Sequence, residues 1–537
     1  MNRTMDRRSF LRLGLGAGVA LAIPAALIGC SSEEDAPSAT ATNEGAATGT
    51  GTADATAAAE ATRGPSTGTL RISEPFLPAT IDVDAGGQFN ILSLGMSETL
   101  FRYTSDLRTE PWLATSLERV DDLTWKVQLR DDVTFWDGSP MDADAVVTSF
   151  QRMFEKQPGT ADLLPPDSEL TADGYMLTIK TPRPIGLMER NLAAAQLAVK
   201  KAISDEDVLY TGPFRATAFT ARDSITLEAY PAYRGGPAWV ERIEGRQVGD
   251  TAARTLAVQA GDVEIAQALL PADVPTLEAA GLAVSVAPWA RQHMLIVNVN
   301  RAPLSDVAVR RALSLVVDRQ LLVDTVLDGV GEAAFGIAPA SIGLDVTATH
   351  SFDPAEAASV LDAAGWVAGD DGIREKDGQR LAFKLGTYPG RAELEQFAVA
   401  ILDMAKAVGM ELTIEQFEDV EKALASNEFD VTTYSIGSAA FGDVSRLLSI
   451  LYVPSARNPE RYDNPEVTSR FQQYLETADP AEHARLLREM EELIGADIPV
   501  IPLVNPFQVV ASSTQVTGFE VHPLDSYKYH ADIRLQA

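Results

Sequence analysis

A mixed α/β (α+β) fold, with short strands and amphipathic helices interleaved, is what the chain predicts from Thr69 onward. Three observations carry this. Segments such as Leu123-Thr124-Trp125-Lys126-Val127-Gln128-Leu129 alternate with period two, as half-buried strands do. Helix-start chemistry recurs between them: Asp353-Pro354-Ala355-Glu356 and Asp479-Pro480-Ala481-Glu482 each place an N-cap, a proline at the first helical position and a glutamate at the third. The length, 537 residues, exceeds what one hydrophobic core serves, and no repeat period is visible, so two or three domains follow.

The first thirty residues read as an address. Asp6-Arg7-Arg8-Ser9-Phe10-Leu11-Arg12 is similar to the twin-arginine export signal, and an apolar run from Leu13 to Gly29, interrupted by Pro24, follows it. That run is short for a spanning helix and has the flanks of a signal peptide. It ends in Leu27-Ile28-Gly29-Cys30, which resembles a bacterial lipobox: small residues fit the peptidase, and the thiol of Cys30 carries lipid. Residues 1–29 are therefore expected to be a signal peptide and Cys30 the lipidated anchor to the membrane. Cys30 is the sole cysteine, so internal disulfides and cysteine-based zinc or redox chemistry are excluded.

Residues 31–67 contain no aromatic residue and no Leu, Ile, Val or Met. Such a stretch cannot bury enough apolar surface to offset chain entropy, so residues 30–68 are expected to be a disordered tether. Gly64-Pro65-Ser66-Thr67-Gly68 matches G-x-S-x-G, but a linker stands where the nucleophile motif needs a strand. Downstream, Asp142 to Phe154 reads as a helix packed behind the 123–129 strand. The helix after Asp353 shows an apolar face (Ala357, Val360, Leu361, Ala364) and stops at Gly365. Residues 381–385, 429–433 and 498–504 read as further strands. Trp112, Trp125 and Trp366 are expected in cores, and Arg310 and Arg311 as capping or pairing residues on a helix.

Charge narrows the function. With 44 basic and 76 acidic residues the net charge is −32, which leaves nothing to neutralise a row of phosphates, so nucleic acid is not a partner. No P-loop or HExxH motif is present. Asp82-Val83-Asp84-Ala85-Gly86 hints at a calcium loop, but Ser93 stands where its final glutamate belongs.

Several segments, in order, resemble the peptide/nickel-binding family (family 5) of ABC-importer solute-binding proteins. They are Glu98-Thr99-Leu100-Phe101, Pro111 to Ser116, the long signature Trp125 to Pro140, Tyr210-Thr211-Gly212-Pro213-Phe214, Tyr233 to Pro237, Gln259 to Val263, Pro303 to Asp306 with Val309 to Leu313, Phe352 to Trp366, and Ile498 to Leu503. The resemblance implies a two-lobed periplasmic-binding-protein type II fold with an additional subdomain. Lobe one would be residues 69–288, with the extra subdomain about 104–209. Lobe two would be 289–498, and residues 499–537 would return to lobe one. Strands 294–299 and 500–504 would cross between the lobes.

What the resemblance implies for function is an extracytoplasmic, lipid-anchored monomer that encloses a small molecule or peptide and hands it to an ABC permease and its ATPase, without cofactor or catalysis. Two ligand branches compete. Gly372 to Gln379 and Val453-Pro454-Ser455 are similar to the nickel-importer branch, but Ala456 stands where that branch has a histidine. The dipeptide branch neutralises the peptide amine with an aspartate, and here the matching residue is Ala440; Asp443 matches a structural aspartate. The five histidines (His293, His350, His483, His522, His530) show no paired-ligand spacing. A peptide-like ligand is the first reading, a metal chelate the alternative, and an extracytoplasmic hydrolase, chaperone or sensor the rivals from other classes. Candidate ligand-binding residues are Arg291 and His293 at the entry to an interlobe strand, Tyr388 and Arg391 after strand 381–385, Tyr434 at the end of strand 429–433, and Phe441 in the next loop. The arginines would pair with a carboxylate and the aromatics would stack on ligand.

Overall fold

The computed structural model describes residues 66–204, 207–389, 391–455, 458 and 461–536. The export signal, Cys30, nearly all of the tether and Ala456 lie outside the described residues. All that follows concerns the compact unit Glu60–Ala537.

A twelve-stranded sheet organises the chain. Its order is Phe214–Thr220, Ser224–Ala229, Arg242–Gln247, Thr69–Glu74, Ile265–Ala266, Val500–Ser512, Arg291–Val297, Val431–Gly437, Ala382–Thr387, Glu411–Gln416, with Ala283–Pro288 and Gly331–Ala333 also paired to Val500–Ser512. The thirteen-residue strand Val500–Ser512 joins the two halves. Its C-terminal part pairs antiparallel with Ala283–Pro288, Ala283 facing Ser512 and Pro288 facing Phe507. Its N-terminal part pairs with Arg291–Val297, where His293 faces Val504 and Ile296 faces Val500. Trp289 and Ala290 thus occupy the break where the chain passes from one half of the sheet to the other.

Each half has its own core. One packs Leu70, Ile72, Phe214, Leu227, Ile243 and Ile265. The other half is covered on both faces. Leu295, Val297 and Val431 meet Phe397 and Ile401 on one side, while Met294, Ile296, Tyr434 and Ile436 meet Leu448, Phe471 and Met490 on the other. This split follows from strand periodicity, since successive side chains point to opposite faces. A further four-stranded sheet (Ala114–Arg119, Thr124–Leu129, Met176–Lys180, Glu169–Asp173) carries the helix Ala143–Lys156 and encloses a third core around Trp125, Phe135 and Phe150.

Local signals in the sequence have clear outcomes. Asp142, Asp353 and Asp479 each accept a backbone N–H as helix N-caps, worth about 1 kcal/mol apiece. Gly365 takes a left-handed φ of +85° just past its helix. Trp125 and Trp366 are buried, whereas Trp112 is half-buried. Arg310 donates to the carbonyls of Leu304, Ser305 and Asp497, and Arg311 pairs with Glu356. Strand bounds need correction: 381–385 is Ala382–Thr387, 429–433 is Val431–Gly437, and the crossing strands are Arg291–Val297 and Val500–Ser512, with Ile498 left-handed at a helix end. The calcium-loop hint is overturned. Asp82 and Asp84 are buried against Arg152, and Asp84 also binds Lys200 at 2.7 Å, so protein cations neutralise both carboxylates. Thr67 and Gly68 of the G-x-S-x-G match lead into a strand, the reverse of a nucleophile elbow.

Candidate functional site

The break at Trp289 and Ala290 gathers a polar cluster. Arg291 opens the strand Arg291–Val297 and stands opposite Gly437, while His293 stands opposite Ser435. Opposed residues share a sheet face, so Arg291, His293, Ser435 and Gly437 lie on one side and Tyr434 on the other. Arg391 arrives from the loop after Ala382–Thr387 as N-cap of the helix Ala392–Lys406. Asp525 arrives from the C-terminal tail.

The Trp289 ring is flanked by two guanidinium groups, with Arg291 4.6 Å and Arg391 5.7 Å from its centroid. Such cation–π contacts hold like charges close together. Asp525 accepts from Trp289 Nε1 at 3.1 Å and from Arg291 Nη2 at 3.4 Å. Arg291 Nη1 donates to Ser435 Oγ at 3.1 Å, and its Nε is buried with no acceptor. Arg391 has a long pairing to Glu393, 3.8 Å. Burial, then repulsion from Arg291, pulls the Arg391 guanidinium down to about 10, still a cation at neutral pH. Tyr388 is half-buried beside them, and burial raises its hydroxyl above the usual range. Below Asp525, Lys528 binds Glu74 at 3.1 Å, and Tyr529 donates to the same carboxylate at 2.7 Å.

The six sequence candidates therefore divide. Arg291, Arg391 and Tyr388 come together. His293 is turned inward: its side chain is fully buried against Phe397, 5.8 Å between ring centroids, with Glu393 3.5 Å from Nε2. Burial, then Arg391 and Arg291, hold its pKa well below 6.5, so it is a neutral packing residue. Tyr434 is buried on the opposite sheet face, where it donates to Glu421 at 2.7 Å and its ring lies 6.4 Å from that of Tyr388. Phe441 is buried in a cluster that also holds Ala290. It packs with Ala439 into the core of the four-stranded subdomain, under Arg446. Its loop is seated there by Gly442, whose φ is +69° and whose added Cβ would lie 2.6 Å from Tyr103, and by Arg190, which reaches Gly442 O at 3.3 Å and Asp443 at 3.5 Å. A cavity of about 330 Å³ opens at this seam, lined by Leu187, Arg190, Asp443, Tyr474 and His483 among others.

Trp289, Ser435 and Asp525 were not picked out from the sequence. Trp289 carries a signal, an aromatic two residues before Arg291 at a strand entry; Asp525, from a loop 234 positions away in sequence, carries none. The segment Gly372–Gln379 that is similar to the nickel branch forms part of a small three-stranded sheet, where Arg374 is tied to Asp362 and to the carbonyls of Trp366 and Val408. Among the described residues no group of three or more His, Cys, Asp or Glu is arranged to hold a metal ion, and no helix is long and apolar enough to cross a membrane.

The polar cluster thus stands where the chain crosses between the two sheet halves. The model of the bacterial extracellular solute-binding proteins, family 5, matches residues 108–458, well over half the chain, and the chain belongs to that family. It is thus an extracytoplasmic solute-binding protein of the ABC-importer type. It is 26% identical to the nickel-binding protein NikA of Staphylococcus aureus over 453 residues, 81% of this chain and 88% of the relative. It is 27% identical to the glutathione-binding protein GsiB of Pectobacterium atrosepticum over 448 residues, 79% of this chain and 85% of the relative. The crystal structure of the S. aureus NikA with Ni(L-His)2 superposes with a TM-score of 0.75 at 24% identity, covering 87% of this chain and all of that one. The oligopeptide-binding protein AppA of Bacillus subtilis with a nonapeptide gives 0.74 at 21%, covering 88% and 99%. These structures establish the two-lobed fold.

Proposed function

We propose that this protein captures a peptide-like ligand bearing a carboxylate, held by Arg291 and Arg391 between two lobes, and delivers it to an ABC permease and its ATPase. Lobe one is taken as residues 69–288 with the return 499–537, and lobe two as 289–498. The observation that carries the reading is the arginine pair on Trp289, whose spare donors include the buried Arg291 Nε. Buried, unpaired donors on a cation are costly to leave unmade, and a carboxylate satisfies two at once. That relatives bind glutathione and an oligopeptide agrees with this class of ligand.

The metal-chelate alternative has support from the NikA likeness. Against a bare metal ion stand the buried, neutral His293 and the absence of a three-ligand cluster among the described residues. Native mass spectrometry of the exported protein identifies the bound species. The expected ligand carries a carboxylate, and Arg391→Ala weakens it by about 2–5 kcal/mol, as truncating one partner of a buried charge pair does. A loss below about 0.5 kcal/mol would place Arg391 among solvated surface charges and defeat the reading.

Export through the twin-arginine route and lipid anchoring at Cys30 complete the proposal, motivated by the lipobox-like Leu27–Cys30. A fatty-acid analogue is expected to label the chain in cells and to leave Cys30→Ser unlabelled; labelling of the variant would refute the anchor.

A further inference from the structure

Resting on the carboxylate reading above, we infer that Asp525 receives a cationic amine of the same ligand, so that the ligand presents ammonium and carboxylate side by side, as an α-amino-acid head group does. Three observations lead there.

The first is spare capacity. The Asp525 side chain is 35% exposed and Arg291 16%, so neither member of this pair is sealed from solvent. Asp525 uses one lone pair on Trp289 Nε1 and one on Arg291 Nη2. A carboxylate has roughly four acceptor sites, so it has room for an ammonium group. The second is charge balance. Around Trp289 stand three cations, Arg291, Arg391 and Lys528, and three carboxylates, Glu74, Glu393 and Asp525, already matched as Lys528 with Glu74, Arg391 with Glu393, and Arg291 with Asp525. A zwitterion leaves the enclosed cluster neutral, whereas a simple monocarboxylate would bury an uncompensated negative charge, which a water-excluding site disfavours. The third is spacing. The cation and anion to be addressed are only 3.4 Å apart, matching two groups on one carbon. The termini of a linear peptide lie further apart, and Ala440, on the neighbouring loop, offers no carboxylate for a distant amine.

The test incubates the full chain with yeast extract, which supplies amino acids, γ-linked and linear peptides, and reads the bound masses by native mass spectrometry. Two treated extracts run beside it, one N-acetylated and one methyl-esterified. The expected result is capture of a species with a free α-amino-acid head group from the untreated extract, and of nothing from either treated one. Asp525→Asn should weaken that capture at least tenfold while the ligand-free variant keeps the native circular-dichroism spectrum, and Asp525→Glu should restore part of it. Equal capture from the acetylated extract, or a bound linear peptide with an unmodified affinity in Asp525→Asn, would overturn the Asp525 assignment and leave the carboxylate reading standing. Capture from the esterified extract, or no capture at all, would overturn both.

Discussion

His293 shows how much of a side chain's role is set by strand register. It is a plausible ligand contact by residue type, two positions from Arg291, yet the same periodicity that brings it to the arginine face carries it one step deeper, under the helix Ala392–Lys406. There it stays neutral. His350 and His483 are half-buried, the first pushed down to about 3 by burial and then Arg319, the second to about 4 chiefly by burial. The folded pKa values of these histidines lie below the ordinary 6.5 of the unfolded chain, so stability is full above pH 6.5 and falls as protons bind the unfolded state preferentially. Each histidine costs roughly 1 kcal/mol between pH 7 and 5.5. Urea unfolding of the ligand-free protein should therefore show a loss of about 3 kcal/mol across that interval; equal stability at both pH values would mean that these rings are protonated in the native protein.

At the scale of elements, the legible features were those encoded within a few residues. The aspartate caps before Ala143, Pro354 and Pro480 and the alternating strand at Thr124–Leu129 are local chemistry, and each forms where the sequence puts it. Arg291, Arg391 and Tyr388 could be placed near one another from the sequence because they sit at strand ends, where side chains escape the sheet. What was not legible depends on distant chain. The strand Val500–Ser512 extends eight residues past the segment read as a strand, because its second half is stabilised by pairing with Ala283–Pro288. Phe441 looked like a cleft aromatic, but its loop inserts into a core built by residues 100–199, which no local pattern reveals. Gly442 is needed in that loop for two reasons at once: a left-handed backbone and contact distance to Tyr103. Asp525 joins the site only because the tail folds back onto Trp289.

For the whole molecule, the crossing at Trp289–Arg291 has a mechanical consequence. Two sheet halves with separate cores are joined by two adjacent crossing strands, and the polar cluster lies beside them. On the proposed reading, a ligand that touches Arg391 from one lobe and Asp525 from the other makes its full set of contacts only when the lobes approach. It therefore shifts the population toward the closed form by its differential affinity. The net charge of −32 keeps such a body soluble outside the cell and leaves recognition to the local cluster rather than to the global field. Binding to the native state alone also stabilises it by RT ln(1 + [L]/Kd), about 2.7 kcal/mol at a hundredfold excess over Kd. The central claim is closure around the ligand, and small-angle scattering of the ligand-stripped chain, before and after adding back the species it carries from cells, tests it most directly. The account predicts a smaller radius of gyration on binding, and the same shift at proportionally higher ligand concentration in Arg391→Ala. Saturating binding with an unchanged scattering profile would contradict it.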